Sequence, residues 1–275
     1  MAKVAVAQML SGTDLAQNLA QVRELTEAAS VAGASMVLLP ENLAMLDSRA
    51  LIGLARDESR QPKVTATLSA LAAEFGIWLV AGSVPLLCQR DGCEDKVFAS
   101  CLVYDDQGRE QARYDKIHLF DVDVADAHAA YRESDFIQHG DTLKVVDTPL
   151  GRLGLTICYD LRFPEQFQRL REMGAELISV PAAFTYVTGE AHWEVLLRAR
   201  AIETQCYLLA PNQGGEHTPT RSSWGHSMIV DAWGEVLAER SEAGPGLVFA
   251  EIDLKALERR RQAMPVQLHR QQAGF

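Results

Sequence analysis

No stretch of this chain approaches the roughly eighteen uncharged apolar residues that a membrane-spanning helix requires. The apolar stretch from Ala2 to Ala7 is too short for the core of a secretory leader and runs into a polar loop, so it reads as a first strand, with the cytoplasm as the expected compartment. Positive charge is scarce: 26 lysines and arginines stand against 37 aspartates and glutamates, a formal net charge of -11. No basic run is present to displace counterions from a phosphate backbone, so nucleic acid is not an expected partner. Cysteine is limited to five residues, an odd count that argues against a disulfide framework. Cys158 and Cys206 lie in or beside apolar runs where burial is the usual fate, while Cys88 and Cys93 read as two unrelated surface thiols. The chain also lacks a His-Glu-x-x-His motif, a dinucleotide-type glycine fingerprint and a phosphate-binding loop, so neither a metal nor an organic cofactor is expected. No proline- or serine-rich linker interrupts it, and residues 1–275 read as one domain.

What remains is an ordinary globular composition, 48% hydrophobic and 23% charged. Short, continuously apolar runs alternate with longer segments of helical period. Val4 to Gln8 reads as a strand, and Leu15, Leu19, Val22, Leu25 and Ala29 share one face of a helix that Gly33 ends. Met36 to Leu39, closed by Pro40, suits a strand buried on both faces, as does Ile77 to Ala81 after a helical segment from Pro62 to Phe75. Hairpins are expected from Val97 to Leu119 around Gly108, from Leu143 to Cys158 around Gly151, and from Ser227 to Glu239 around Gly234. Residues 120–141 carry little periodicity and read as a long surface excursion. Helices from Pro164 to Met173 and Glu190 to Thr204, with strands from Glu176 to Pro181 and Cys206 to Pro211, make the second half echo the first. The pattern predicts a four-layer α-β-β-α sandwich of two mixed sheets with outer helices, in preference to a doubly wound three-layer sheet.

Three positions carry candidate chemistry. Cys158 ends a buried run and turns into Tyr159-Asp160-Leu161-Arg162-Phe163, ahead of a helix opened by Pro164; that places a thiol near backbone N–H groups able to lower its pKa and to bind an oxyanion. Glu41 follows Pro40 at the carboxyl edge of a buried strand, where sites of α/β proteins gather. Lys116 alternates with apolar and aromatic neighbours in Tyr114-Asp115-Lys116-Ile117-His118-Leu119. Each has a plain alternative: a structural cysteine, a solvated loop acid, an exposed sheet lysine. Together they form a chemically complete set, because amide hydrolysis through a thiol needs a nucleophile, a proton carrier and a cation for the oxyanion.

Leu39-Pro40-Glu41, Tyr114 to Leu119 and Ile157-Cys158-Tyr159-Asp160-Leu161-Arg162-Phe163-Pro164-Glu165 resemble, in order, the three catalytic segments of the nitrilase superfamily. The resemblance continues through Ala191 to Glu203 and Trp224 to Asp231 and so covers nearly the whole chain. It implies an α-β-β-α fold, a homodimer or an assembly of dimers, and hydrolysis of carbon–nitrogen bonds without metal or organic cofactor. By position it implies Cys158 as nucleophile, Glu41 as general base and Lys116 as oxyanion stabiliser. Tyr159 would lend a backbone N–H, and Glu133 would position Lys116. Ala191 to Tyr207 and Gly244-Pro245-Gly246-Leu247 look most like the branch that hydrolyses deaminated glutathione.

Such a substrate is an anionic keto-acid amide, and Arg162 is the expected cation for it, with Phe184 and Thr188 walling the keto-acid end. Arg162 paired to Asp160 or Glu165 is the competing expectation, as is Phe184 as plain core. His192 and Trp193 are assigned no chemistry, since the apolar spacing of their helix is explained by burial or a dimer seam. Rival readings are an ω-amidase acting on α-ketoglutaramate, a carbamoyl-amide or nitrile hydrolase, a metal-dependent phosphodiesterase on another four-layer fold, and a catalytically idle binding protein.

Overall fold

Alternation along the strands decides the layers. In the computed structural model, which describes residues 2–93, 95–124 and 130–274, successive residues of one sheet face two different cores. Val4, Val6, Met36, Leu38, Val80, Cys101 and Val103 point into a core shared with the second sheet. Their neighbours Ala5, Ala7, Val37, Leu39, Leu79, Ala81, Leu102 and Tyr104 belong to another, beneath helices. A strand covered on both faces has no solvated side to fill with polar residues, which is why these segments read as unbroken apolar runs.

The first sheet is built from β1 (Ala2–Gln8), β2 (Met36–Leu38), β3 (Trp78–Leu87), β4 (Val97–Tyr104) and β5 (Glu110–Asp115). Outside it, α1 (Leu15–Val31) and α3 (Val64–Phe75) bury Leu19, Val22, Leu25, Leu68 and Leu71, with α2 (Leu51–Arg60) beside β3. Asp14 caps α1 by accepting from the Ala16 and Gln17 N–H groups, and Gly76 ends α3 in the left-handed conformation. A small hairpin of β6 (Asp121–Asp123) and β7 (Ala130–Arg132) follows. The expected surface excursion thus contains ordered structure, and its part at 125–129 lies outside the described residues.

The second sheet contains β8 (Val145–Thr148), β9 (Gly151–Leu155), β10 (Leu177–Ser179) and β11 (Tyr207–Ala210). Helices α4 (Pro164–Glu172) and α5 (Tyr186–Thr204) cover it, burying Phe167, Leu170, Trp193, Leu197 and Ala201. A hairpin of β12 (Gly214–Thr218) and β13 (Arg221–Trp224) stands apart, and β14 (Ser227–Val230) with β15 (Val236–Arg240) completes the sheet. The chain then returns through β16 (Gly246–Ile252) to pair antiparallel with β1, before α6 (Leu254–Ala263) and α7 (Val266–Gln272). The sheet orders are β16-β1-β2-β3-β4-β5 and β15-β14-β11-β10-β9-β8. Four layers and two mixed sheets are as expected.

Within each sheet the central strands run parallel, β1 with β2 and β3, and β9 with β10 and β11. Two antiparallel steps bring β5 back into the direction of β3. The carboxyl ends of β2, β5 and β9 carry the turns with Glu41, Lys116 and Cys158.

Two local expectations are corrected. The strands end earlier than the sequence pattern suggests, β5 at Asp115 and β9 at Leu155, so Lys116 and Cys158 sit in the turns beyond them. Cys88 and Cys93 are bonded to each other through sulfur, with Cα atoms 5.8 Å apart. Both pack with Phe98 in a small apolar cluster of their own, because the β3–β4 connection folds back on itself between them. Cys101, Cys158 and Cys206 are free and buried. No helix of the described residues is long and apolar enough to cross a membrane.

Candidate active site

Cys158 follows the end of β9 and has a φ of +50°, a left-handed conformation that costs a non-glycine residue of order 1 kcal/mol and is kept where surrounding contacts enforce it. Its N–H donates to the Pro181 carbonyl at 2.8 Å. Asp160 holds the turn from inside, accepting from the Ile157 N–H at 2.8 Å and the Tyr114 hydroxyl at 2.6 Å through one oxygen. The His118 N–H at 3.1 Å and His118 Nδ1 at 2.8 Å meet the other. One buried carboxylate therefore joins the Cys158 turn to the chain on both sides of Lys116. Gln166 adds a hydrogen bond to the Tyr114 hydroxyl, and Phe163 stacks on His118 with ring centroids 3.6 Å apart.

Glu41 is positioned from the opposite sheet. Asn42, directly after it, is also left-handed at φ +59° and donates its N–H to the Ser83 hydroxyl. Gly82 lets the two halves of the site approach: a Cβ there would collide with the Leu39 carbonyl, with Pro40 and with Pro181, the acceptor for Cys158. Gln213 donates to the Glu41 carbonyl at 2.9 Å and is itself held by Ser11. Asn212 accepts from the Phe184 N–H and donates to the Gly225 carbonyl. Asn212 and Gln213 were missed by sequence reasoning. Their signal is the one that marked Glu41: polar residues just beyond proline at the carboxyl end of an apolar strand.

Lys116 is 1% exposed at its side chain and donates to Glu41 Oε1 at 2.8 Å and to both Glu133 oxygens at 2.8 Å. Glu133 in turn accepts from the Phe120 N–H at 2.6 Å. Burial works against the ammonium form, but the Glu133 and Glu41 carboxylates outweigh it and hold the lysine charged, well above its ordinary pKa. Glu133 is itself pushed up by burial and by Glu41, against the pull of Lys116.

The Cys158 thiol is shifted the opposite way from expectation. Burial and the Glu41 carboxylate push its pKa well above 9, and only Lys116 and a hydrogen bond from the Ala183 backbone oppose them. At rest the sulfur is protonated and hydrogen-bonded to Glu41. The contact favours a protonated sulfur beside a carboxylate that can take its proton over a standing thiolate.

These side chains line one cleft of about 670 Å³, together with Tyr159, Arg162, Phe184 and Thr188. Arg162 pairs with neither Asp160, whose oxygens are occupied, nor Glu165. Its guanidinium lies 5.7 Å from the Tyr159 ring and 5.4 Å from the Phe184 ring, and Nη1 donates to His192 Nδ1 at 3.3 Å. Phe184 serves both readings, walling the cleft and packing on Trp193 with centroids 4.8 Å apart. Thr188 shares a 2.8 Å hydrogen bond with Thr185, the residue that caps α5. His192, given no chemistry by its sequence context, thus touches the cleft through Arg162.

The model of the carbon-nitrogen hydrolase family matches residues 3–262. The chain belongs to that family. The hydrolase is 46% identical to a deaminated glutathione amidase of Yersinia enterocolitica, over 98% of this chain and 92% of that one. It is 43% identical to the mouse (Mus musculus) protein of the same name, over 97% and 82%. Among solved structures it superposes on the C. elegans NitFhit protein with a TM-score of 0.89 at 40% identity, covering all of this chain and 67% of that one. On Saccharomyces cerevisiae Nit3, described as a member of branch 10 of the nitrilase superfamily, the TM-score is 0.84 at 30% identity, over 96% and 94%. The family and the four-layer fold that the motifs implied are therefore those of this chain, and it is an amide-cleaving hydrolase.

The β12–β13 hairpin forms another wall of the cleft and is pinned by a half-buried histidine. His217 Nδ1 lies 2.9 Å from the Ser11 carbonyl, which can only accept, so Nδ1 carries the proton and Nε2 accepts from the Ser223 hydroxyl at 2.9 Å. Burial lowers the pKa of this imidazole to about 4. An imidazole with a depressed folded pKa contributes its stability fully above its unfolded value of about 6.5, and loses it as pH falls toward 4. The melting temperature is expected to fall over that window, and His217→Gln, which keeps a donor and an acceptor, is expected to flatten this part of the pH profile. An unchanged slope in the variant would assign the acid sensitivity elsewhere.

Proposed function

We propose that the hydrolase cleaves deaminated glutathione to α-ketoglutarate and cysteinylglycine, with Cys158 as nucleophile. The observation that carries the reading is the convergence in one cleft of a thiol hydrogen-bonded to a carboxylate, a buried ammonium group and a guanidinium without a carboxylate partner among the described residues. In the first half-reaction Cys158 sulfur attacks the amide carbonyl carbon while Glu41 takes the thiol proton. The oxyanion is met by Lys116 and the Tyr159 N–H. Glu41 returns the proton to the departing nitrogen, the C–N bond breaks and a thioester remains. Water then attacks the thioester carbonyl, its proton passing to Glu41. The C–S bond breaks, and the proton goes back to sulfur. Glu133 keeps Lys116 charged and positioned for the oxyanion.

The substrate assignment draws on the names of the relatives and on charge. The keto-acid end is a carboxylate, and Arg162, backed by two aromatic rings and His192, meets it in a protein whose overall field would repel it. Arg162→Ala is expected to lower kcat/KM on keto-acid amides about 100-fold, mainly through KM, with little effect on a small neutral amide. Equal loss on both would make Arg162 structural.

The experiment for the reading compares α-ketoglutarate release from deaminated glutathione and from α-ketoglutaramate, with Cys158→Ala as blank. Preference for the first supports it, preference for the second makes the protein an ω-amidase, and silence on both refutes the substrate class. Residues 1–275 would act as one cytoplasmic domain. The assembly would be a homodimer seated on α5, where Val195 is 68% exposed and Trp233 beside that helix 61% exposed, apolar surface that a monomer leaves in water.

A further inference from the structure

Arg162 is not the only cation in the cleft without a carboxylate partner. Arg221, at the start of β13, also lines it, as does Arg49 from the turn before α2. Among the described residues neither forms an ion pair, although Arg132 on the same rim is paired with Asp123. Of the cleft's acids, Glu41 and Glu133 are held by Lys116 and Asp47 accepts from the Arg49 N–H, while Asp135 forms no ion pair with Arg221 or Arg49 among the described residues. Arg221 is half-buried, whereas Arg49 is exposed. Thr218, Thr220 and Ser222 on the same hairpin give it hydroxyl neighbours that can share an anion. A second cavity, running outward along the hairpin past Trp224 and His226, is lined by the same Arg221, Thr218 and Thr220. Arg221 therefore stands where the cleft continues beyond the catalytic residues.

The proposed substrate has two anionic ends. The keto-acid carboxylate is on the acyl side of the scissile bond, and the glycyl carboxylate is on the departing side, about six bonds from the scissile nitrogen. One guanidinium cannot serve both. We propose that Arg221 binds the carboxylate of the departing peptide and sets selectivity for amides that carry one; this rests on the function proposed above. It assigns Arg162 to the acyl side and Arg221 to the leaving side, with the β12–β13 hairpin as the selectivity element.

Two substrates sharing the acyl half separate the roles. On deaminated glutathione, Arg221→Ala is expected to lower kcat/KM at least 10-fold through KM, while α-ketoglutaramate, which releases only ammonia, is cleaved at the wild-type rate. Arg162→Ala loses both. Equal loss on both substrates, no loss on either, or the same selective loss in Arg49→Ala would overturn the assignment. Should the wild-type protein cleave neither, the function proposed above fails by itself. Arg221 is then read by protection of Cys158 from iodoacetamide, using S-methylcysteinylglycine and its C-terminal amide as probes. Protection by the acid alone, abolished in Arg221→Ala, supports the leaving-side site. Equal protection by acid and amide, or none, overturns it.

Discussion

Cys158→Ala is expected to abolish amide cleavage and to leave the melting temperature within a few degrees of wild type. In the proposed mechanism the thiol makes the bond that defines the intermediate, so no other group can replace it, and the loss should exceed about 10⁴-fold in kcat. The fold is expected to survive because removing one sulfur from a cleft wall creates little internal cavity and leaves the turn's hydrogen bonds to Asp160 and Pro181 in place. Glu41→Gln should match that loss, since the amide keeps the shape and the contact with Lys116 but cannot carry a proton. The two variants differ in one readout. Burial and the adjacent carboxylate hold the thiol protonated; removing the carboxylate's charge brings the thiol pKa down, so Glu41→Gln should be alkylated at Cys158 at a lower pH than wild type. Alkylation that needs a higher pH in Glu41→Gln would refute Glu41 as the group that raises the thiol, and near-normal turnover in Cys158→Ala would refute the thioester mechanism.

The sequence was most legible where one physical demand acted alone. Met36 to Leu38 is apolar throughout because both faces are covered, and its identity as a buried strand followed directly. Strand ends were less legible. Cys158 continues an apolar run and Lys116 an alternating one, yet the backbone leaves the sheet before both, because a buried side chain in a turn satisfies the same pattern as one in a strand. The hairpin at 214–224 escaped notice because Gly-Gly-Glu-His-Thr and Arg-Ser-Ser-Trp have no apolar alternation; His217 ties it together through Ser223 and to the distant Ser11 carbonyl. Cys88 and Cys93 were misread for a related reason, since five residues of spacing says nothing about whether the intervening chain folds back. Chemistry-bearing residues could be named from their motifs, but the direction of the Cys158 shift could not. Backbone N–H groups at a turn lower a thiol pKa, whereas a buried carboxylate in contact raises it, and only the geometry shows which is nearer.

Asp160→Asn should reduce kcat by about two orders of magnitude with KM little changed, although Asp160 touches no reacting atom. Its two oxygens receive four contacts: Ile157 N–H and Tyr114 hydroxyl on one, His118 N–H and ring on the other. Asparagine offers one acceptor oxygen and one donor nitrogen, so a buried N–H is turned toward at least one buried donor. An unmade hydrogen bond of that kind costs about 1–3 kcal/mol, and here two meet face to face. The strain falls on two segments at once: the turn that holds Cys158 at φ +50° and the chain that carries Lys116. Displacing the sulfur by about 1 Å from the oxyanion donors is the kind of error that costs 10²-fold in rate. A purely structural role would lower stability and leave the activity of the folded fraction intact. The expectation is instead a kcat loss that persists at low temperature where the variant is fully folded, together with an altered pH dependence of Cys158 alkylation. Wild-type kcat in folded Asp160→Asn would show that the turn keeps its geometry without this carboxylate.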